Sequence, residues 1–186
     1  MSHEVIIFYK YIHIDDPKAL MQSQRALCER LGMRGRTIIA HEGINGTYEG
    51  TTEAIEEYIK DLRKDPRFTD VFIKRSPGTG SDFPRLSIKV RNEIVTLGLG
   101  AHDDINPNET TGTHLKPEEL KQWYEEGRDF VVVDMRNDYE FDVGRFKGSI
   151  LPSLKNFRDL KENISELEQM KDKTVLTVCT LDRKSV

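Results

Sequence analysis

The run Phe130-Val131-Val132-Val133-Asp134 constrains this chain more than any other stretch. A continuous apolar run with three valines fits a strand buried on both faces, the habit of parallel sheets, which need helical crossovers to cover them. The pattern recurs at Thr174-Val175-Leu176-Thr177-Val178 and ends on Cys179. Two such strands side by side would bring Asp134, Arg136 and Cys179 to one rim, at the carboxyl ends of strands, where open α/β sheets hold their ligands. Asp138, Glu140 and Asp142 follow the first strand, and with no histidine beside them they are expected to form a solvated face rather than a metal site.

Upstream the periodicity changes. Val5 to Ile14 mixes β-branched and aromatic residues and predicts a strand. Asp15-Asp16-Pro17 supplies a helix start, an Asp cap followed by Pro at the first helical position. Leu20, Leu27 and Leu31 share one face of that helix up to a stop at Gly32, and Cys28 within it is expected to be a buried thiol. Arg36 to Ala40 predicts a second strand. Asn45-Gly46 is expected to be a hairpin turn, because both residues tolerate positive φ, with Thr47-Tyr48 returning as a third strand. Ile55, Tyr58, Ile59 and Leu62 keep helical spacing until Pro66. Val71 to Arg75 predicts a fourth strand, Pro77-Gly78-Thr79-Gly80 a turn, and Arg85 to Arg91 a half-exposed strand. Strand, helix, strand, strand, helix, strand is the ferredoxin-like order, here with one strand added.

The expected fold class is therefore α/β. A ferredoxin-like (acylphosphatase-like) α+β domain spans 1–98, a linker rich in Gly, Asp and Asn spans 99–112, and a parallel-sheet domain spans 113–186. A helix at Pro117-Glu118-Glu119-Leu120 turns Trp123 and Tyr124 inward, and another carries Phe157, Leu160, Ile164 and Leu167 toward the Cys179 strand.

The formal net charge of -4 gives no general attraction for nucleic acid, so any RNA surface must be a local basic patch. Two cysteines with no CxxC or Cys/His spacing leave neither a disulfide framework nor structural zinc, which suits a reducing cytoplasm. The apolar opening Val5 to Tyr9 is cut by Lys10, too short for a signal peptide or membrane span. No flavin, haem or metal motif is recognisable, and the sequence does not give the oligomeric state.

Three groups of residues carry candidate chemistry. Cys179 needs a stabilised thiolate to react, which Arg183 or Lys184 would favour and Asp182 would oppose; otherwise it is an inert strand-end thiol. Asp134 and Arg136 either orient the loop and bind a substrate anion or form a local ion pair that caps the strand. His41 and Glu42, beside a turn, suit proton transfer, or together with Asn45 they hydrogen-bond the backbone of that turn. Lys89 and Arg91 on a nearby strand suit phosphate contacts.

A strand ending in Asp134-Met135-Arg136, the turn Gly144-Arg145-Phe146-Lys147-Gly148-Ser149-Ile150 and a later strand ending on Cys179 resemble the rhodanese domain. Phe8-Tyr9-Lys10-Tyr11, Ala40-His41-Glu42-Gly43-Ile44-Asn45, Ile88-Lys89-Val90-Arg91 and Asp134-Met135-Arg136-Asn137, with Tyr139-Glu140, widen the likeness to nearly the whole chain. Together they resemble the bacterial rhodanese-related tRNA uridine hydroxylases. The resemblance implies oxygen-dependent 5-hydroxylation of the wobble uridine at position 34, with tRNA as partner, molecular oxygen as co-substrate, and Cys179 as the catalytic residue; Asp134, Arg136 and Arg183 are expected to support it, Arg183 matching a family arginine only if one residue is deleted. It also implies that His41, Glu42, Asn45, Lys89 and Arg91 contact the substrate. Leu181-Asp182 stand where the family carries glycines, and the family's following helix and strand are not in the sequence, so the rhodanese-like domain is expected to be incomplete. Two other readings stay open, a sulfurtransferase working through a Cys179 persulfide and a non-catalytic RNA-binding remnant.

Overall fold

The computed structural model describes residues 2–95, 112–153 and 164–179. Its contacts divide the chain into two compact units, Met1–Val95 and Thr96–Val186.

The first unit runs β1 (His3–Tyr11), α1 (Pro17–Arg30), β2 (Arg34–Ala40), β3 (Gly43–Thr51), α2 (Thr52–Leu62), β4 (Ile73–Gly78) and β5 (Leu86–Val90). Its sheet has the order β4-β1-β3-β2-β5. The first four strands pair antiparallel in the ferredoxin-like order, and the added β5 lies parallel to β2. The helix starts follow local chemistry. Asp16 Oδ1 accepts hydrogen bonds from the Lys18 and Ala19 amides at 3.0 and 2.9 Å, and Thr51 Oγ1 accepts one from Ala54. Gly32, at φ 65°, closes α1 in the left-handed conformation that favours glycine.

Ile6, Phe8, Ile44 and Tyr48 from the sheet meet Leu27, Cys28, Ile55 and Tyr58 from the helices in one core. Tyr58 donates a 2.6 Å hydrogen bond to Gln24, which provides the buried phenol with a partner. Burial pushes the Cys28 thiol up to about 12, so it stays protonated and inert, as expected from its place in the helix.

The hairpin departs from expectation. Ala40 pairs with Gly43, so the turn is His41-Glu42, while Asn45 and Gly46 lie inside β3 opposite Tyr9 and Phe8. Gly46 is there for space rather than for a turn. A Cβ would come within 2.6 Å of the Phe8 ring and 2.9 Å of Thr37 Oγ1. Pro77 and Gly78, expected in a turn, belong to β4, an edge strand where a missing N–H is tolerated.

The second unit contains α3 (Pro117–Glu125), β6 (Val131–Asp134), α4 (Asp138–Val143), α5 (Ile164–Glu168) and β7 (Val175–Val178). β6 and β7 pair in parallel from Val131↔Val175 to Asp134↔Val178, and Ile150 bridges Val133 in parallel. In α3 Leu120 is buried, whereas Tyr124 is 37% exposed. The inward placement expected for Trp123 and Tyr124 becomes a bracket, both rings meeting Phe130 edge-on at 5.4 and 5.0 Å. Residues 99–111 of the expected linker, Phe157 and Leu160 of the expected helix, and the segment 180–186 with Arg183 lie outside the described residues. Among the described residues no helix is long and apolar enough to cross a membrane.

Adding a methyl group at Gly46 overpacks the contact with Phe8. Gly46→Ala is expected to lower the unfolding free energy by about 1–3 kcal/mol in urea titration; an unchanged midpoint would mean that the Phe8 ring yields freely.

Candidate functional site

The rim at the carboxyl ends of β6 and β7 is held on both sides by backbone bonds. The Asp134 amide donates to the Ile150 carbonyl and the Met135 amide to the Val178 carbonyl, each at 2.8 Å. Asp134 is fully buried. Arg136 meets it as a fork, Nε to Oδ1 at 2.9 Å and Nη2 to Oδ2 at 2.7 Å, and Nη2 also donates to the Gly144 carbonyl at 2.6 Å. Of the two roles weighed for this pair, the geometry displays the local ion pair. The guanidinium ties the end of β6 to the end of α4. The Asp134 hydrogen bonds, with smaller effects from the charges of Asp134 and Glu140, hold Arg136 more firmly protonated than a free arginine.

Cys179, half-buried, lines a cavity of about 690 Å³ with His114, Leu120, Tyr124, Phe146 and Val178. The expected rim is thus assembled, with Cys179 following the Val178 that pairs with Asp134. His114 and Phe146 were not singled out from sequence. Nothing around His114 announced it, and Phe146 was visible only as a member of the turn. Arg145, in the turn that follows α4, lies over the Phe141 ring at 4.7 Å. Gly148 takes φ 73° in the same turn, a conformation that favours glycine. Asp138, Glu140 and Asp142 lie on the outward-facing α4, none of them buried. Among the described residues no group of three or more His, Cys, Asp or Glu is placed to hold a metal.

The second cluster lies in the first unit. Glu42 accepts the Ile94 amide at 2.6 Å and Asn45 Nδ2 donates to the Ile94 carbonyl at 3.0 Å. The two side chains hold both backbone polar groups of a buried residue, as a neighbouring strand would. Burial pushes the Glu42 carboxyl up, opposed by the Ile94 hydrogen bond. His41 Nδ1 lies 2.9 Å from the Ile14 carbonyl, and its ring stacks on His13 at 6.5 Å. His41, Glu42 and Asn45 are therefore engaged with the backbone. Lys89 and Arg91 are exposed; Lys89 is the register partner of Ile38, which pairs with Asn45.

A family model described as the UPF0176 acylphosphatase-like domain matches residues 3–94, and the rhodanese-like domain matches residues 116–185. A Bacillus licheniformis protein named tRNA uridine(34) hydroxylase is 42% identical over 180 residues, covering 96% of this chain and 55% of the relative. Proteins of the same name from Enterococcus faecalis and Staphylococcus aureus are each 41% identical over 181 residues, covering 97% of this chain and 56% of each relative. The chain spans about half the length of the curated relatives it matches.

Removing one partner of the rim pair leaves Asp134 buried without a counter-charge. Arg136→Ala is expected to destabilise the second unit by about 3–5 kcal/mol, read by denaturant unfolding; a loss below about 1 kcal/mol would place the pair among ordinary surface bridges.

Because the folded-state value of Glu42 is raised, its favourable contribution is present below the unfolded value of about 4.3 and is lost as pH rises through the folded value. Glu42→Gln abolishes this titration while keeping an oxygen for the Ile94 amide. Its unfolding free energy is expected to fall less than that of the parent chain between about pH 4 and pH 7. Equal pH profiles would show that Glu42 does not contribute to the pH dependence.

Proposed function

This chain belongs to the sequence family of the tRNA uridine(34) hydroxylases, and from that premise we infer that it hydroxylates uridine 34 of tRNA, at carbon 5, with molecular oxygen as co-substrate and Cys179 as the catalytic residue. The observation that carries this inference is the reach of the similarity. It covers 96–97% of the chain and includes both matched domains, whereas a likeness limited to the rhodanese-like domain would leave the first unit without a task.

The geometry supports a role for each rim residue. Cys179 stands half-exposed at the end of β7, beside a cavity. Asp134 pairs with Val178, the residue before Cys179, so the Arg136 fork on Asp134 is proposed to stand beside the sulfur. Asp134 positions Arg136 rather than touching substrate. Arg183, outside the described residues, is proposed to add a second positive charge near the sulfur. His41, Glu42 and Asn45 are proposed to shape the tRNA-facing end of the sheet, and Lys89 and Arg91 to meet phosphates. A cytoplasmic location is proposed on the same ground, the tRNA substrate.

The rhodanese-like match, which includes Cys179, favours one alternative, sulfur transfer through a persulfide. Two measurements separate the readings. Expressed in cells that lack uridine-34 hydroxylation, the chain is expected to yield tRNA whose uridine gains one oxygen, labelled when the gas supplied is oxygen-18, and Cys179→Ala is expected to reduce product to background. Undiminished product in that variant would remove Cys179 from the reaction. Intact mass after thiosulfate treatment tests the alternative, which a stable gain of one sulfur on Cys179 would favour.

A further inference from the structure

The strand register of the first unit sorts side chains into two faces. Ile6, Phe8, Ile44 and Tyr48 point to the helices, so their alternates lie on the face that neither α1 nor α2 covers. Across that open face the register forms rows. Lys74, Ile7, Thr47, Arg36 and Ser87 are successive partners through all five strands. On one side lies the row Tyr9, Asn45, Ile38 and Lys89, and on the other Ser76, Val5, Glu49 and Arg34.

The flanking rows are partly roofed by the chain itself. Glu49 accepts amide hydrogen bonds from Gly80 at 2.5 Å and Asp82 at 2.9 Å, and Asn45 holds the Ile94 carbonyl. The middle row lies between these two attachments.

The two faces also treat their charges differently. On the helix side Lys10, Arg30, Arg67 and Arg75 are paired with carboxylates. On the open face Arg34, Arg36, Lys74 and Lys89 are all exposed, and among the described residues none has an ion pair or a side-chain hydrogen bond. Four positive charges with no partner among the described residues, on a chain of net charge -4, form a local field suited to a polyanion. Between them lie half-buried Ile7, Ile38 and Tyr9, with Tyr9 set edge-on against Tyr11 at 6.3 Å. Lys74 and Arg36 are three strands apart, about 14 Å at the usual strand spacing, which leaves room for bases between contacted phosphates.

We propose that this open sheet face binds single-stranded RNA, the unpaired loop of the tRNA substrate, with Arg36, Lys74 and Lys89 on phosphates and Ile7, Tyr9 and Ile38 as the platform on which bases lie. The proposal rests on the tRNA reading above and locates the RNA on the first unit. A sheet that offers an aromatic and apolar centre ringed by cations recognises unstacked bases. A duplex hides its base faces and would use only the charges.

The test measures binding of the 186-residue chain to a labelled anticodon stem-loop and to a fully paired RNA of equal length, by fluorescence anisotropy over a salt series. The parent chain is expected to prefer the stem-loop. The triple variant Arg36→Ala, Lys74→Ala, Lys89→Ala is expected to weaken stem-loop binding at least tenfold and to reduce the salt slope by about two. Tyr9→Leu is expected to weaken stem-loop binding while leaving duplex binding unchanged. Lys60→Ala, on the exposed face of α2, serves as the control, and melting curves establish that each variant folds. Unchanged binding by the triple variant overturns the proposal, as does equal affinity of the parent chain for duplex and stem-loop, or no RNA binding at all. If the triple variant binds normally while uridine is still hydroxylated, the surface is wrong and the functional reading stands. Weakened binding by that variant, without any hydroxylation by the parent chain, would support the surface and overturn the hydroxylase reading.

Discussion

The pairing of β1 with β3 is the constraint on which the first unit depends. Nine residue pairs run from His3↔Thr51 to Tyr11↔Gly43 through the middle of the sheet. This register places Phe8 and Tyr48 among the helices and leaves Tyr9, Asn45 and Thr47 on the other side. A slip of one residue would exchange the two sets, burying polar side chains and exposing the largest rings. Gly46 holds the register in place, because only a residue without a Cβ lets the Phe8 ring lie over β3. Core packing and the chemistry of the open face are therefore set by one choice of alignment.

The second unit solves a different problem at its rim. A carboxylate with no exposed surface is costly unless its partners are close and well directed. Asp134 meets that condition through the Arg136 fork, and the Arg136 amide also donates to Oδ1 at 3.1 Å. Both the amide and the guanidinium come from one residue, Arg136, just beyond the strand, so the path of the chain as it leaves β6 is determined by the buried anion. Arg136 then joins Gly144, and the Gly148 turn returns Ile150 to pair beside Val133. The rim is stiff because charge burial and backbone pairing demand the same geometry.

How much of this was legible in the sequence varies by residue. The β6 and β7 strands were readable because each is a short run rich in β-branched residues that ends at a change of chemistry, Asp134 or Cys179, and α1 because Asp16-Pro17 specifies a helix start locally. Asn45-Gly46 misled, since its turn propensity is a local signal while the need for glycine opposite Phe8 is a tertiary one. The clamp of Glu42 and Asn45 on Ile94 was only half visible. Their polarity beside a turn suggested backbone hydrogen bonds, but a partner about fifty residues away leaves no local pattern. His114 escaped notice for the same reason, because a cavity is a property of the folded surface rather than of spacing.

Charge illustrates the same limit from the other direction. A net value of -4 argues against a general affinity for polyanions, and as a statement about the whole molecule that holds. The sum says nothing of how charges are sorted, and here a two-residue period does the sorting. Lys74 and Arg75 are neighbours in sequence, yet Arg75 turns to Glu4 and Glu56 while Lys74 turns to the open face. Lys10 is held by Asp70 on the helix side while Tyr9 and Tyr11 face the other way. Carboxylates on the helix side thus absorb much of that side's positive charge, and the cations on the opposite face keep theirs. An acidic chain can in this way carry a basic face without any cluster of lysine or arginine in its sequence.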